Sequence, residues 1–217
     1  MRVTALAVST FALVSMMALT SCSSGPIELD GVEVRQYNGQ NLSSVQDFRE
    51  NSIRGPQNID VEGYELAVLG LVETPLALSY DEVTGENKLY KKVVTLNCVE
   101  GWSATILWEG VLVTDLLAQA GVLPTARVLI FYAEDGYTTS LPIEYITDND
   151  IIMAYKMNEV VLPPERGFPF QLVAESKWGY KWIKWVTAIE LSDDISYRGY
   201  WEDRGYSNDA DLDGSFR

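Results

Sequence analysis

Thr95-Leu96-Asn97-Cys98-Val99-Glu100-Gly101-Trp102 places a thiol two residues before a carboxylate, in a chain that contains two cysteines and no histidine. Without histidine there is no Cys–His pair and no Ser–His–Asp triad. Zinc, haem and iron–sulfur sites all need more Cys or His than this chain holds. Glu100 beside Cys98 raises a thiol pKa, which suits neither a free nucleophile nor a redox thiol. The pairing is acceptable if the sulfur binds a high-valent metal, whose charge reverses the local pKa logic. Taken alone, Cys98 reads more readily as a small buried hydrophobe at a strand end, and Glu100 equally well as a solvated turn carboxylate.

The elements that must hold this turn are mostly short strands. Strands are expected at Tyr64–Val72, Lys92–Asn97, Ala104–Trp108, Arg127–Ala133, Ile151–Tyr155, Phe168–Ala174 and Trp182–Leu191. Ser79-Tyr80-Asp81-Glu82-Val83 predicts a short capped helical turn. Val111–Ala120 repeats apolar residues at three and four and stops at Gly121, which predicts a helix. Asp135-Gly136 predicts a tight turn. Strands outnumber helices without regular alternation, so the expected class is α+β, a β-rich mixed or antiparallel sheet with short helices.

Residues 1–21 combine one early charge, Arg2, an apolar run from Val3 to Leu19 and small residues before Cys22, the pattern of an export signal. Leu19-Thr20-Ser21-Cys22 resembles a bacterial lipoprotein cleavage box, which implies lipidation at Cys22. Residues 22–40 read as a lipidated start and tether, 41–207 as one domain and 208–217 as an acidic flexible tail. Asp209–Gly214 resembles half of a calcium loop but lacks the glutamate six residues on. With 31 acidic against 16 basic residues and a net charge of −15, nucleic acid is an unsuitable partner, and a membrane is reachable through the anchor alone.

Eight pieces of the chain, in order, resemble the sulfite oxidase family of molybdenum-cofactor oxidoreductases in its small prokaryotic form. They are Asn51-Ser52-Ile53 after a short amphipathic segment, "TLNCVEGW" at 95–102, "WEGVLVTDLLAQAG" at 108–121, "EDGYTTSLP" at 134–142, "AYKMN" at 154–158, "LPPERGFPFQLV" at 162–173, "KWGYKWIKWVTAIEL" at 177–191 and "GYWEDRGYS" at 199–207. The resemblance implies the sulfite-oxidase-type molybdopterin-binding fold and a mononuclear molybdenum held by a pyranopterin dithiolene and by Cys98. A soft thiolate suits such a sulfur-rich centre. It gives Glu100 a catalytic role, hydrogen-bonding or relaying a proton at the metal. It implies a cofactor-binding set of Asn51, Arg54, Thr138, Thr139, Arg166, Lys181 and Lys184, the basic members facing the cofactor's phosphate. The Lys181/Lys184 spacing predicts irregular backbone at Gly179–Lys181.

Cysteine–x–acid matches the sulfoxide-reducing relatives. Gln171 stands where sulfite oxidases carry the arginine that faces an anionic substrate. The expected reaction is therefore two-electron oxygen-atom transfer, favouring reduction of a small S-oxide or N-oxide. Electrons must pass through a separate partner, because the chain has no haem or iron–sulfur site. Only Arg2 precedes the apolar run, so the signal lacks a twin arginine; this leaves open a cofactor-free ligand- or partner-binding lipoprotein on the same fold.

Overall fold

The computed structural model describes residues 32–217. The expected signal (1–21), Cys22 and the first part of the expected tether lie outside the described residues. The order begins with a small hairpin, β1 (Gln36–Tyr37) and β2 (Gln40–Asn41), followed by β3 (Glu65–Gly70), β4 (Leu76–Ser79) and helix α1 (Tyr80–Glu86). Then come the long hairpin β5 (Tyr90–Asn97) and β6 (Ser103–Leu112), helix α2 (Val113–Ala120), and the hairpin β7 (Val128–Ala133) and β8 (Thr138–Pro142). Helix α3 (Ile143–Asp148), β9 (Ile152–Met157), β10 (Val160–Val161), β11 (Gln171–Val173) and β12 (Val186–Ser192) complete the order.

Two five-stranded sheets carry the core. One runs β10-β9-β6-β5 with β11 added on β9, and its pairs are antiparallel. The other runs β4-β3-β12-β7-β8 and is mixed, because β12 lies parallel to β3. This is the expected α+β class with short helices. Apolar residues of both sheets meet in one core, where Leu66, Ile106, Trp108, Leu129 and Phe131 are fully buried. The Trp108 indole spends its one donor on the Val94 carbonyl at 3.2 Å, so its burial leaves no orphaned N–H.

Ser79 caps α1 through a reciprocal box with Glu82, as its sequence predicts. Helix α2 starts at Val113, two residues later than periodicity suggests, because Val111 and Leu112 pair with β9. Periodicity did not reveal α3. Its six residues are too few to show a helical repeat, and only Ile146 is buried.

Two expected boundaries are corrected. Residues 33–41 are part of the domain: the Glu33 carboxylate accepts from Ser44 Oγ, Val45 N and Asn158 Nδ2 at 2.7–2.8 Å. Residues 208–217 are not a loose tail. Lys177 bridges Asp211, Trp178 N donates to Ala210 O at 2.8 Å, and Phe216 packs edge-on to Trp178 at 5.6 Å. Asp211 finds a lysine and Phe216 an aromatic face, so the acidic composition is locally offset.

Candidate active site

Cys98 leaves the end of β5 in the turn that leads to β6. Cys98 N donates to Trp102 O at 2.9 Å and Gly101 N to Cys98 O at 3.1 Å. Gly101 closes that turn at φ 84°, a conformation glycine adopts at no steric cost. The far side is braced by a parallel bridge between Asn97 and Trp178. A side chain at Gly179 would stand 3.2 Å from Asn97 O and 3.5 Å from Cys98 Cα, so glycine lets that segment pack against the cysteine turn.

Cys98 lines a cavity of about 490 Å3. Its walls are residues 48–53, Cys98 to Glu100 and Trp102 of the turn, Asp135 and Tyr137 at the β7–β8 turn, Glu165, Arg166 and Gln171, Gly179, Tyr180 and Trp182 to Trp185, and Trp201 with Tyr206. The Asn51 amide donates to Cys98 Sγ at 3.6 Å, across 47 residues of sequence. Asn51 sits in irregular chain. Glu100 stands at the mouth, half exposed, 3.7 Å from Arg49 Nη1. Burial pushes the Cys98 thiol pKa up and the Glu100 carboxylate adds to this, while a backbone hydrogen bond and Arg49 pull it back. A free thiol here is therefore a poor nucleophile, as the sequence implies.

Two of the expected basic residues face the cavity. Arg166 is buried, donating to Val45 O at 2.8 Å and Phe48 O at 2.6 Å. Lys184 Nζ reaches Glu50 Oε1 at 2.6 Å and Glu165 O at 3.2 Å. Burial pulls the Lys184 pKa down, and the Glu50 carboxylate pulls it back up.

Four expected residues do not line it. Lys181 is fully buried on the other side, bonded to Glu202 Oε1 at 2.5 Å and Ser140 O at 2.9 Å. The irregular backbone is present, a 3-10 turn at Gly179–Lys181. The chain leaves that turn at Trp182, so Lys184 swings to the opposite side from Lys181. Thr139 is buried and donates to the same Glu202 oxygen at 2.7 Å, and Thr138 is half-buried in β8. Arg54 is exposed and lies over the Gly136 turn.

Sequence reasoning passed over Arg49 and Glu50, although their place beside Asn51 was a usable signal. It also passed over Tyr137, whose hydroxyl donates to Tyr180 O at 2.5 Å, and over the aromatic wall of Trp201 and Tyr206. Those sites depend on contacts between distant segments.

The residues fit a metal-bearing, anionic, heteroatom-rich ligand. Cys98 offers a soft sulfur. Arg166 and Lys184 offer charge-assisted donors. Trp102, on the wall, has a buried indole N–H without a partner among the described residues. Residues 53–201 match the family described as the oxidoreductase molybdopterin binding domain. The chain belongs to this family.

Relatives of this oxidoreductase molybdopterin-binding chain include an uncharacterized oxidoreductase, YuiH, of Bacillus subtilis. It is 34% identical over 152 residues, which cover 70% of this chain and 76% of that one. A putative protein-methionine-sulfoxide reductase subunit, YedZ1, of Azospira oryzae is 33% identical over 152 residues, covering 70% and 57%. The crystal structure of the sulfane dehydrogenase SoxCD from Paracoccus pantotrophus shares the fold, with a TM-score of 0.63 at 24% identity, covering 71% of this chain and 43% of that one. The sulfite-oxidase-type fold and the oxidoreductase class expected from the sequence both stand.

Proposed function

We propose that this chain is a molybdenum-cofactor oxidoreductase that reduces a small S-oxide or N-oxide by two-electron oxygen-atom transfer, with Cys98 as the protein ligand to the metal. The observation that carries the reading is the Asn51 amide on Cys98 Sγ, at the wall of a cavity that also holds Arg166 and Lys184. When bound, the molybdenum and its pterin supply the redox chemistry; the protein supplies binding, orientation and proton handling.

Cys98 would hold the metal as its thiolate and would give up the proton that burial favours on the free thiol. The Asn51 N–H fixes the sulfur's orientation from outside the metal, as an outer hydrogen-bond partner does. Glu100, half exposed beside Arg49, exchanges protons with water at the mouth. An S-oxide takes two electrons and two protons to give the sulfide and water. Gln171, buried on the wall and uncharged, favours a neutral substrate over an anion. The relative named as a methionine-sulfoxide reductase subunit supports an S-oxide as the substrate class.

The electrons come from a separate transfer partner, since the sequence offers no haem or iron–sulfur ligand set. Export and lipidation at Cys22 would put the chain on the outer face of the cytoplasmic membrane or in the periplasm. Among the described residues no helix is long and apolar enough to cross a membrane.

The deciding experiment counts molybdenum and pterin per chain in a host that makes the cofactor. The full chain, a form from residue 23 retained in the cytoplasm, and its Cys98→Ala variant are compared. About one molybdenum per chain is expected in the retained form. Cys98→Ala should keep the pterin and lose thiolate-to-metal absorption. Absence of metal and pterin from every form would sink the proposal and leave a cofactor-free binding lipoprotein.

A further inference from the structure

Phe48, Arg49, Glu50 and Asn51 are consecutive, lie in irregular chain, and each touches a different group on the cavity wall. The Phe48 carbonyl accepts from Arg166 Nη2 at 2.6 Å, and its ring lies 4.1 Å from the Arg166 guanidinium. Arg49 Nη1 stands 3.7 Å from Glu100. Glu50 accepts from Lys184 Nζ at 2.6 Å. Asn51 donates to Cys98 Sγ at 3.6 Å.

We propose that residues 48–51 are a latch across the cofactor cavity, in which Glu50 holds, on Lys184, the place that an anionic group of the incoming ligand takes. The inference rests on the cofactor reading for the identity of that ligand. An approaching phosphate meets Lys184 with a carboxylate already 2.6 Å away, and two anions on one ammonium repel. Glu50 must therefore give way. Because the residues are contiguous, displacing Glu50 also draws Arg49 from Glu100, while the Asn51 amide keeps its contact with Cys98.

The segment is built to move. Upstream it is held at Val45, whose N–H donates to Glu33 and whose carbonyl accepts from Arg166. Downstream it ends near Gly55, at φ 79°, with open space where a side chain would stand. Arg166 also holds Phe48; beyond it residues 49–55 make no backbone ladder hydrogen bonds, and the exposed Arg49–Glu100 pair holds weakly.

The test uses the full chain made in a host that cannot synthesise the pterin and extracted in detergent. Inorganic phosphate is the first probe, read by calorimetry. Glu50→Gln should bind phosphate roughly tenfold tighter than the unaltered chain, the equivalent of losing one competing charge. Glu50→Gln combined with Lys184→Met should lose the phosphate gain, and Asp47→Asn, on the same segment but facing Arg35, should show none.

Phosphate affinity unmoved by Glu50→Gln, or a gain that survives without Lys184, overturns the latch. A pterin-uptake arm separates the two ideas. If the phosphate gain appears while neither chain takes up pterin, the latch stands as an anion gate and the cofactor reading fails. If both chains take up pterin at one rate with equal phosphate affinity, the latch fails and the cofactor reading stands.

Discussion

Lys181 has its ammonium group in contact with Glu202, and both side chains are fully shielded from water. Desolvation lowers the Lys181 pKa, and the Glu202 carboxylate works against it. Removing one partner of such a pair leaves a buried charge, which costs about 3–5 kcal/mol. Lys181→Met should lower stability by that order in urea unfolding, with Glu202→Leu in the same chain restoring much of it. Pterin content per folded molecule should not change, since Lys181 lies off the cavity wall. Lys184→Met should do the reverse. Its ion pair with Glu50 keeps more access to water than the sealed Lys181–Glu202 pair, so its loss should cost less stability. The loss should empty the chain of pterin while lowering the unfolding midpoint less than Lys181→Met does. These lysines stand three positions apart, and the sequence offers no way to assign them opposite roles. The direction of each is set where the 3-10 turn ends at Trp182.

Helix α1 illustrates what an element draws from its own residues. Glu82 accepts from Ser79 Oγ and Ser79 N at 2.7–2.8 Å, and those hydrogen bonds hold its pKa below the ordinary glutamate value. A depressed folded pKa means the unfolded chain binds the proton more readily. The box's ionic contribution is full above the ordinary carboxylate range and is lost as pH falls through the lowered folded value. Glu82→Gln should therefore destabilise at neutral pH, and the gap between the two urea midpoints should close in acid. The β6–β9 pairing is held differently. At its bulge beside Gly110, an added Cβ would stand 2.0 Å from Met153 O and 2.7 Å from Ala154 Cα. Backbone cannot yield there, so Gly110→Ala should cost on the order of 3 kcal/mol in thermal or urea unfolding. The Ser79–Glu82 box is legible because both partners are local. The Gly110 contact is not, because its partner is more than forty residues away.

At the scale of the molecule, the C-terminal residues close one end of the domain. Ala210 is fully buried, Asp211 pairs with Lys177 at 2.5 Å, and Phe216 packs on Trp178 and Tyr206. Tyr206 in turn lines the cavity. Ending the chain after Asn208 should cost roughly 2 kcal/mol, the order expected for uncovering one large apolar side chain and its neighbours. Acrylamide quenching of tryptophan fluorescence should rise as Trp178 is uncovered. Equal quenching in the two forms would mean that the segment covers nothing.

The sequence alone determined the strand-rich class, the cap of α1 and the chemistry available at Cys98, because alternation, capping and the exclusion of histidine chemistry all act through local residues. Motif order carried the family, and with it Asn51 beside the cysteine. Tertiary structure alone decided which basic residues reach the cavity, that residues 33–41 and 208–217 belong to the packed domain, and that four consecutive residues bridge the site. Each of those depends on where a side chain points after a turn, or on a partner more than thirty residues away. Composition read the last ten residues as solvated and loose. Lys177, Trp178 and Tyr206 gave them a surface to bind, and burial against that surface outweighs their local preference for water.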